Sequence, residues 1–354
     1  MTTPTSRALH ELQRAHGIAP DFVLRADLAR DGSVSLETEV DGRRRWFTHG
    51  AELSEVMPAG DRRLPLCAAL DLDGEGVRVL SWRPGRRIAL RLETAEGFEV
   101  LKGVRRKRLE KIHAAYSRVH DALTSPDDFI VPSVLAATDL QALRMQGLEL
   151  DPIGLSQRSE PAYRLVGRAL ANFQRRVPSE GLARHGFVEE LAILDDIADR
   201  HVRGTGDLPT GWRGLRDRLD DLAPPLELGF VAAHRDLHDG QILTDGKRVG
   251  LIDFDLLTSA SPLLDLANLS AHLMLRALQS SEDGMQRIAV DCGHALLEGY
   301  GIGEGAALQA ELRAYQTATF LRLALVYSMR PAWCALPEPL IRLGLRCLDD
   351  QRPD

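Results

Sequence analysis

Residues 231–255, VAAHRDLHDGQILTDGKRVGLIDFD, decide how the rest of the chain is read, because they set acidic side chains on loops between short apolar runs. Val231, Ala232 and Ala233 read as the end of a strand, and residues 234–241 as the polar loop that follows it. Gln241-Ile242-Leu243 and Arg248-Val249-Gly250-Leu251-Ile252, with Asp245-Gly246 between them, have the pattern of a tight hairpin. Just past that hairpin the chain delivers Asp253 and Asp255. This arrangement predicts that Asp236, Gln241 and Asp253 meet at one edge of a small sheet. There their oxygens can converge on a divalent cation, and one carboxylate can accept a proton from a hydroxyl. Phosphoryl transfer needs those parts: positioning, charge neutralisation by Mg2+, and a carboxylate that orients the nucleophile. The plainer alternative, a polar hairpin with solvated acids, is the weaker reading of two ordered motifs at this spacing.

The stretch resembles the catalytic core of protein-kinase-like enzymes and, more closely, the aminoglycoside phosphotransferase (APH) family of small-molecule kinases. His234-Arg235-Asp236 matches the opening of the family's catalytic loop. Ile252-Asp253-Phe254-Asp255 stands where these kinases carry the metal-binding Asp of Asp-Phe-Gly, in the form typical of the small-molecule branch. Farther on, Asp265-Leu266-Ala267 matches the Asp-Leu-Ala signature behind the metal site. The resemblance implies an α+β, bilobal protein-kinase-like fold, with a mainly β N-lobe and a mainly α C-lobe, using ATP and Mg2+. It implies Asp236 as catalytic base and Asp253 as the main metal ligand, with Gln241 and Asp255 in the same metal set. Asp265 is then expected to be buried and to brace the catalytic loop, which His234 also supports. One departure is that the family normally has Asn where Gln241 stands; Gln241 brings the same amide oxygen on a stem one methylene longer. Asp239, where the family often has Pro, and His238 lie in the loop and could face substrate.

Upstream, residues 77–83 and 86–92 read as two strands joined at Pro84-Gly85, and residues 97–104 as a third. If these form the N-lobe, the Pro84-Gly85-Arg86-Arg87 turn takes the place of the nucleotide-covering loop, and Lys102 that of the lysine on the α- and β-phosphates. No Gly-x-Gly-x-x-Gly is present, so Arg86 and Arg87 are the candidates for phosphate contact, with solvated hairpin charges the equal alternative. Trp82-Arg83-Pro84-Gly85-Arg86-Arg87 also resembles a pattern of maltokinase-like and related bacterial phosphotransferases. Residues 105–124 carry Leu109, Ile112, Ala115, Tyr116, Val119 and Leu123 at helical spacing. Glu110 on that helix is the candidate partner of Lys102, with Glu99 or an acid outside the helix as alternatives. Strands at 129–131 and 140–145 are expected to complete the sheet, and Gln146-Gly147 to form the hinge at which backbone groups meet an adenine.

Helical periodicity marks 162–176, 187–203, 211–222, 264–281, 285–300, 305–330 and 338–350. Near the start, residues 6–16 read as a helix, and 22–24, 34–40 and 46–48 as strands. The resemblance implies residues 77–147 as the N-lobe and 148–354 as the helical C-lobe with the acidic loops, with residues 1–76 before them as an N-terminal cap or extension.

The chain has 354 residues, 44% hydrophobic and 27% charged, enough for a full core and ordinary for a globular protein. A net charge of -7 gives no basic excess for nucleic acid and leans toward cationic or neutral substrates. Cys67, Cys292, Cys334 and Cys347 lack paired metal-ligand spacing. With no signal-like apolar core and no spanning run, the expectation is a cytoplasmic protein with no membrane or nucleic-acid partner. The function the resemblance implies is ATP-dependent phosphorylation of a hydroxyl on a small molecule: a sugar, an aminoglycoside-like antibiotic or a biosynthetic intermediate. Gln241 and the missing glycine-rich loop also fit a second reading, a catalytically degenerate kinase fold that binds a peptide or partner protein in a modification complex.

Overall fold

A computed structural model describes residues 3–29, 31–72, 74–221, 229–303 and 305–349. Helix α1 (Pro4–His16) comes first, capped by the Thr3 side chain with Pro4 in its first turn. Strands β1 (Val23–Leu28), β2 (Val34–Val40), β3 (Arg43–His49) and β4 (Leu53–Val56) follow as an antiparallel sheet in sequence order. After a short α2 (Pro65–Ala69), a five-stranded antiparallel sheet is built from β5 (Val77–Arg83), β6 (Arg87–Thr94), β7 (Gly97–Val104), β8 (Val134–Thr138) and β9 (Ala142–Gln146). Its order is β5-β6-β7-β9-β8, and α3 (Arg106–Ala122) lies between β7 and β8 in the chain. Then come β10 (Asp151–Pro152), α4 (Glu160–Arg176), β11 (Arg184–His185), α5 (Phe187–Thr205) and α6 (Trp212–Asp220). The stretch that opened the sequence reading yields β12 (Val231–Ala233), β13 (Ile242–Thr244), β14 (Val249–Leu251) and β15 (Thr258–Ala260). Helices α7 (Leu263–Gln279), α8 (Met285–Tyr300), α9 (Ala306–Ser328) and α10 (Pro337–Asp349) complete the chain. Positions 222 and 350, the last of two expected helices, lie outside the described residues. None of the described helices is long and apolar enough to cross a membrane.

One expected strand is corrected. Residues 129–131 do not join the five-stranded sheet; Ile130 makes a single parallel bridge to Gly250 in β14, its N–H donating to Val249 and its C=O accepting from Leu251, both at 2.9 Å. Pro132 has no N–H to continue a ladder, and the edge strand begins beyond it at Val134. Ile130 therefore stitches the chain onto the β13–β14 hairpin.

By contacts the chain forms two compact units, neither continuous in sequence. One collects Met1–Met57, His185–Glu227 and Gly305–Asp354. Its sheet and α1 enclose Ala8, Leu12, Val23, Val34, Leu36 and Phe47, all at most 1% exposed, and the Trp212 indole N–H on α6 donates to the Leu321 carbonyl on α9 at 3.0 Å.

The other unit, Pro58–Arg184 and Leu228–Glu304, holds the five-stranded sheet, the β13–β14 hairpin and helices α3, α4, α7 and α8. Helix α7 is buried on nearly every side, as expected of a helix apolar all round. Helices α4 and α8 meet backbone to backbone at two glycines. A Cβ on Gly167 would lie 2.1 Å from the Leu296 carbonyl oxygen, and one on Gly299 would lie 2.1 Å from that of Arg164. Because rigid backbone is struck on both sides, Gly167→Ala should destabilise the protein by about 3 kcal/mol, the upper part of the usual overpacking range, despite alanine's better helix propensity. Chemical denaturation would measure this, and a gain in stability would show that the helices can part without cost.

Candidate active site

The loop at residues 234–241 is held by α7. Asp265, in the first turn of that helix and fully buried, accepts the His234 N–H through Oδ2 at 2.8 Å and the Arg235 N–H through Oδ1 at 2.7 Å. Asn268, one turn on, donates from Nδ2 to the Arg235 carbonyl at 2.9 Å. Both polar backbone groups of Arg235 are thus bound, which holds the residue at φ +69°, a conformation costly for a side-chain-bearing residue. Asp236 is oriented by this anchored neighbour. Burial pushes the Asp265 carboxyl above its ordinary value, against the pull of the two N–H groups it accepts. The buried His234 ring donates from Nε2 to the Ile252 carbonyl at 2.9 Å, tying the catalytic loop to the acidic turn that follows β14.

At that turn the backbone reverses at Asp253, with φ +70°. The Asp253 N–H donates to the Tyr116 hydroxyl at 3.2 Å, and the Phe254 ring packs edge-on to Tyr116. These contacts aim both aspartates at β7. Lys102, on β7 and 7% exposed, places Nζ 2.7 Å from Asp253 Oδ1 and 2.5 Å from Asp255 Oδ1. Arg87 reaches the other oxygens of both carboxylates at 3.5 Å, and Arg108 stands 3.6 Å from Asp255. Gln241 Nε2 is 3.4 Å from Asp253 Oδ2.

Burial alone would raise the Asp253 carboxyl, but the charge of Lys102, then that of Arg87, reverses this and holds it well below the usual carboxylate range. For Lys102, burial acts downward, and the Tyr116 oxygen and the two aspartates outweigh it, pushing the ammonium above its ordinary value. The sign of the linkage follows. The Asp253 contribution to stability is present above its unfolded pKa, about 4, and is lost as pH falls through the lower folded value. The Lys102 contribution is present below about 10.4 and is lost as pH rises through the higher folded value. Lys102→Met leaves two largely buried carboxylates without their ammonium and should cost about 3–5 kcal/mol at pH 7. The difference from wild type should shrink below about pH 4. Urea denaturation at pH 7 and pH 3 would measure both, and an equal difference at the two values would contradict this account.

Some expected site residues take other places. Glu110 does not pair with Lys102: it is exposed on α3, two positions from buried Ile112 and so about 160° away from it around the helix, while Tyr116 is the residue that α3 turns inward. Asp255, expected as a metal ligand, is 5% exposed and takes the lysine-holding place proposed for Glu110. Glu99 pairs instead with Arg144, at 2.5 and 2.7 Å. Of the two turn arginines, Arg87 reaches the acids, whereas Arg86 is exposed. At the expected hinge, the Gln146 N–H donates to the Ser133 carbonyl and the Gly147 N–H to that of Phe98, at 3.0 and 2.8 Å. Beside the catalytic loop, Asp239 accepts from Arg276 on α7 at 2.7 Å. His238 accepts the Gly240 N–H at 3.0 Å, and its burial lowers the imidazole pKa. Tyr116, Asn268 and Arg108 escaped the sequence reading as site residues; Tyr116 was visible only as one more apolar position.

Oxygen donors suit Mg2+, and those of this site fit. The Asp253 carboxylate and the Gln241 amide meet at one point, and Gln241 can present either end of its amide there.

A buried lysine from an antiparallel sheet, facing aspartates on loops braced by a helical carboxylate, defines a protein-kinase-like phosphotransferase fold. The model of the phosphotransferase enzyme family, APH, matches residues 91–315, and the chain belongs to that family. Over 115 residues it is 34% identical to an aminoglycoside 3'-phosphotransferase of Streptomyces ribosidificus; this stretch is 31% of the chain and spans 39% of the length of that relative. Among solved structures, a choline/ethanolamine kinase family protein from Mesorhizobium loti aligns with a TM-score of 0.55 at 18% identity, covering 83% of this chain and 95% of the other. An amicoumacin kinase in complex with AMP-PNP and Ca2+ aligns with a TM-score of 0.55 at 12% identity, covering 78% and 89%. At such identities the likeness is one of fold. The mixed α+β architecture, with its β-sheet N-terminal region and helical C-terminal region, agrees with these neighbours.

Proposed function

We propose that this protein transfers the γ-phosphoryl group of ATP to a hydroxyl of a small molecule. The observation that carries the reading is the meeting of Lys102 with Asp253, next to Gln241 and a catalytic loop tied down at Arg235. In this reading Asp236 accepts the acceptor's hydroxyl proton as the oxygen attacks the γ-phosphorus, and ADP leaves. Asp253 and Gln241 are the residues that would hold Mg2+, which when bound supplies neutralisation of phosphate charge. Lys102 aligns the α- and β-phosphates, and Asp255 keeps its ammonium charged and in place when Asp253 turns to the metal. The relative and neighbour named above, an aminoglycoside phosphotransferase and a kinase in complex with AMP-PNP and Ca2+, support a small acceptor and a nucleotide bound with a divalent ion.

The test has two stages. Thermal-shift measurements with millimolar ATP or GTP and Mg2+ should show stabilisation, and a screen for acceptor-dependent ADP release over sugars, amino sugars and antibiotics should find a substrate. No stabilisation by either nucleotide would favour a catalytically degenerate fold that binds a peptide or protein.

A further inference from the structure

The turn joining β5 to β6 has no free backbone donor with which to meet a phosphate. Residues 83–86 form a reverse turn closed by the Arg86 N–H donating to the Arg83 carbonyl at 2.9 Å. Pro84 and Gly85 occupy its two central positions, Gly85 at φ +63°, the pairing a type II turn selects. Pro84 has no N–H. The Gly85 N–H is taken from outside the hairpin: Asp61 Oδ2 accepts it at 2.6 Å, and also accepts the indole N–H of Trp82 at 3.1 Å. Asp61 Oδ1 accepts the Arg63 N–H at 3.1 Å, which fixes the carboxylate's own orientation. On the other side, Arg105 Nε donates to the Gly85 carbonyl at 2.6 Å. Each N–H that residues 84–86 possess is therefore accounted for, and a negative charge sits behind the turn. A Cβ at Gly85 would press on the Arg63 side chain at 3.1 Å, so the fit is close as well as bonded.

We propose that Asp61 is a positioning residue for nucleotide binding: with Arg105 it locks the 83–86 turn so that the phosphates are met by the guanidinium groups of Arg86 and Arg87 and not by main-chain N–H groups. The charge arrangement favours this. Arg86 is exposed at the turn, and Arg87 already bridges toward Asp253 and Asp255, where a metal-bound nucleotide would place its phosphates. A guanidinium offers paired donors that match phosphate oxygens. The proposal rests on the nucleotide reading given above.

The experiment is calorimetric titration of the full chain with ADP and, separately, with adenosine, which shares the base and ribose but has no phosphate. Arg86→Ala, on an exposed side chain, and Asp61→Ala should each weaken ADP roughly ten-fold, the scale of one charge-assisted contact, with adenosine unchanged. Asp61→Asn, whose amide oxygen can still accept from Gly85 while its NH2 gives up the Arg63 contact, should recover part of the loss. A purely structural role for Asp61 would weaken both ligands together and overturns the proposal. If Asp61→Ala does not fold, Arg86→Ala decides the matter: a wild-type ADP-to-adenosine ratio in that variant overturns the proposal. Failure of wild-type protein to bind ADP or GDP overturns both the proposal and the reading beneath it, whereas normal ADP binding with unchanged ratios overturns the proposal alone.

Discussion

Asp236→Ala is expected to lower turnover by about two to four powers of ten, the usual range for loss of a positioned general base, and to leave nucleotide affinity within about three-fold of wild type. The expectation of unchanged affinity follows from how the loop is held. The anchors run to the backbone of His234 and Arg235 from Asp265 and Asn268, and none of them uses the Asp236 side chain. Removing that carboxylate therefore leaves the Asp265 and Asn268 anchors in place, so a fall in rate with unchanged nucleotide affinity reports chemistry. Acceptor-dependent ADP release and AMP-PNP titration on the same preparation would measure the two quantities. A variant that turns over like wild type would remove Asp236 from the mechanism; one that loses both rate and nucleotide affinity would make it part of the nucleotide site.

Asp253→Ala should have an effect of similar size by a different route. The side chain is the carboxylate best placed to share a divalent ion with Gln241, and metal stabilisation of transferring phosphoryl charge is worth several kcal/mol, or about three powers of ten in rate. Folding should survive, because Lys102 keeps Asp255 at 2.5 Å and the turn is still held by Tyr116, which takes the backbone N–H of residue 253. The discriminating measurement is Mn2+ affinity in the presence of ADP, followed by electron paramagnetic resonance. Metal binding should fall at least ten-fold; wild-type metal binding beside a slow rate would transfer the metal role to other residues.

The lysine's partner illustrates what can be read from a sequence and what cannot. Lys102 was legible on the third strand as a lysine in need of an acidic partner, since a buried ammonium demands a counter-ion. Which acid answers it was not. Glu110 was the near choice along the chain, but helical phase turns it to solvent, and the partners come from 151 and 153 residues away. In the same way residues 129–131 have strand composition, yet their backbone pairs with Gly250 because Pro132 stops them from extending an edge. Tyr116 looked like core and is core; its hydroxyl gains a role only because Asp253 arrives beneath it. The turn arginines were equally ambiguous until one was found beside two carboxylates and the other in water.

The long helices, strands β5 to β7, the hairpin that delivers Asp253 and the first turn of α7 that carries Asp265 were legible in the sequence alone, since periodicity, turn residues and motif spacing are local properties. Tertiary structure alone decided the ion-pair network of Lys102, Arg87, Asp253 and Asp255, the capture of the 83–86 turn by Asp61, and the glycine contact between α4 and α8. Those depend on which surfaces meet across long stretches of chain, and charge pairing is settled by distances of a few ångströms that no local pattern encodes.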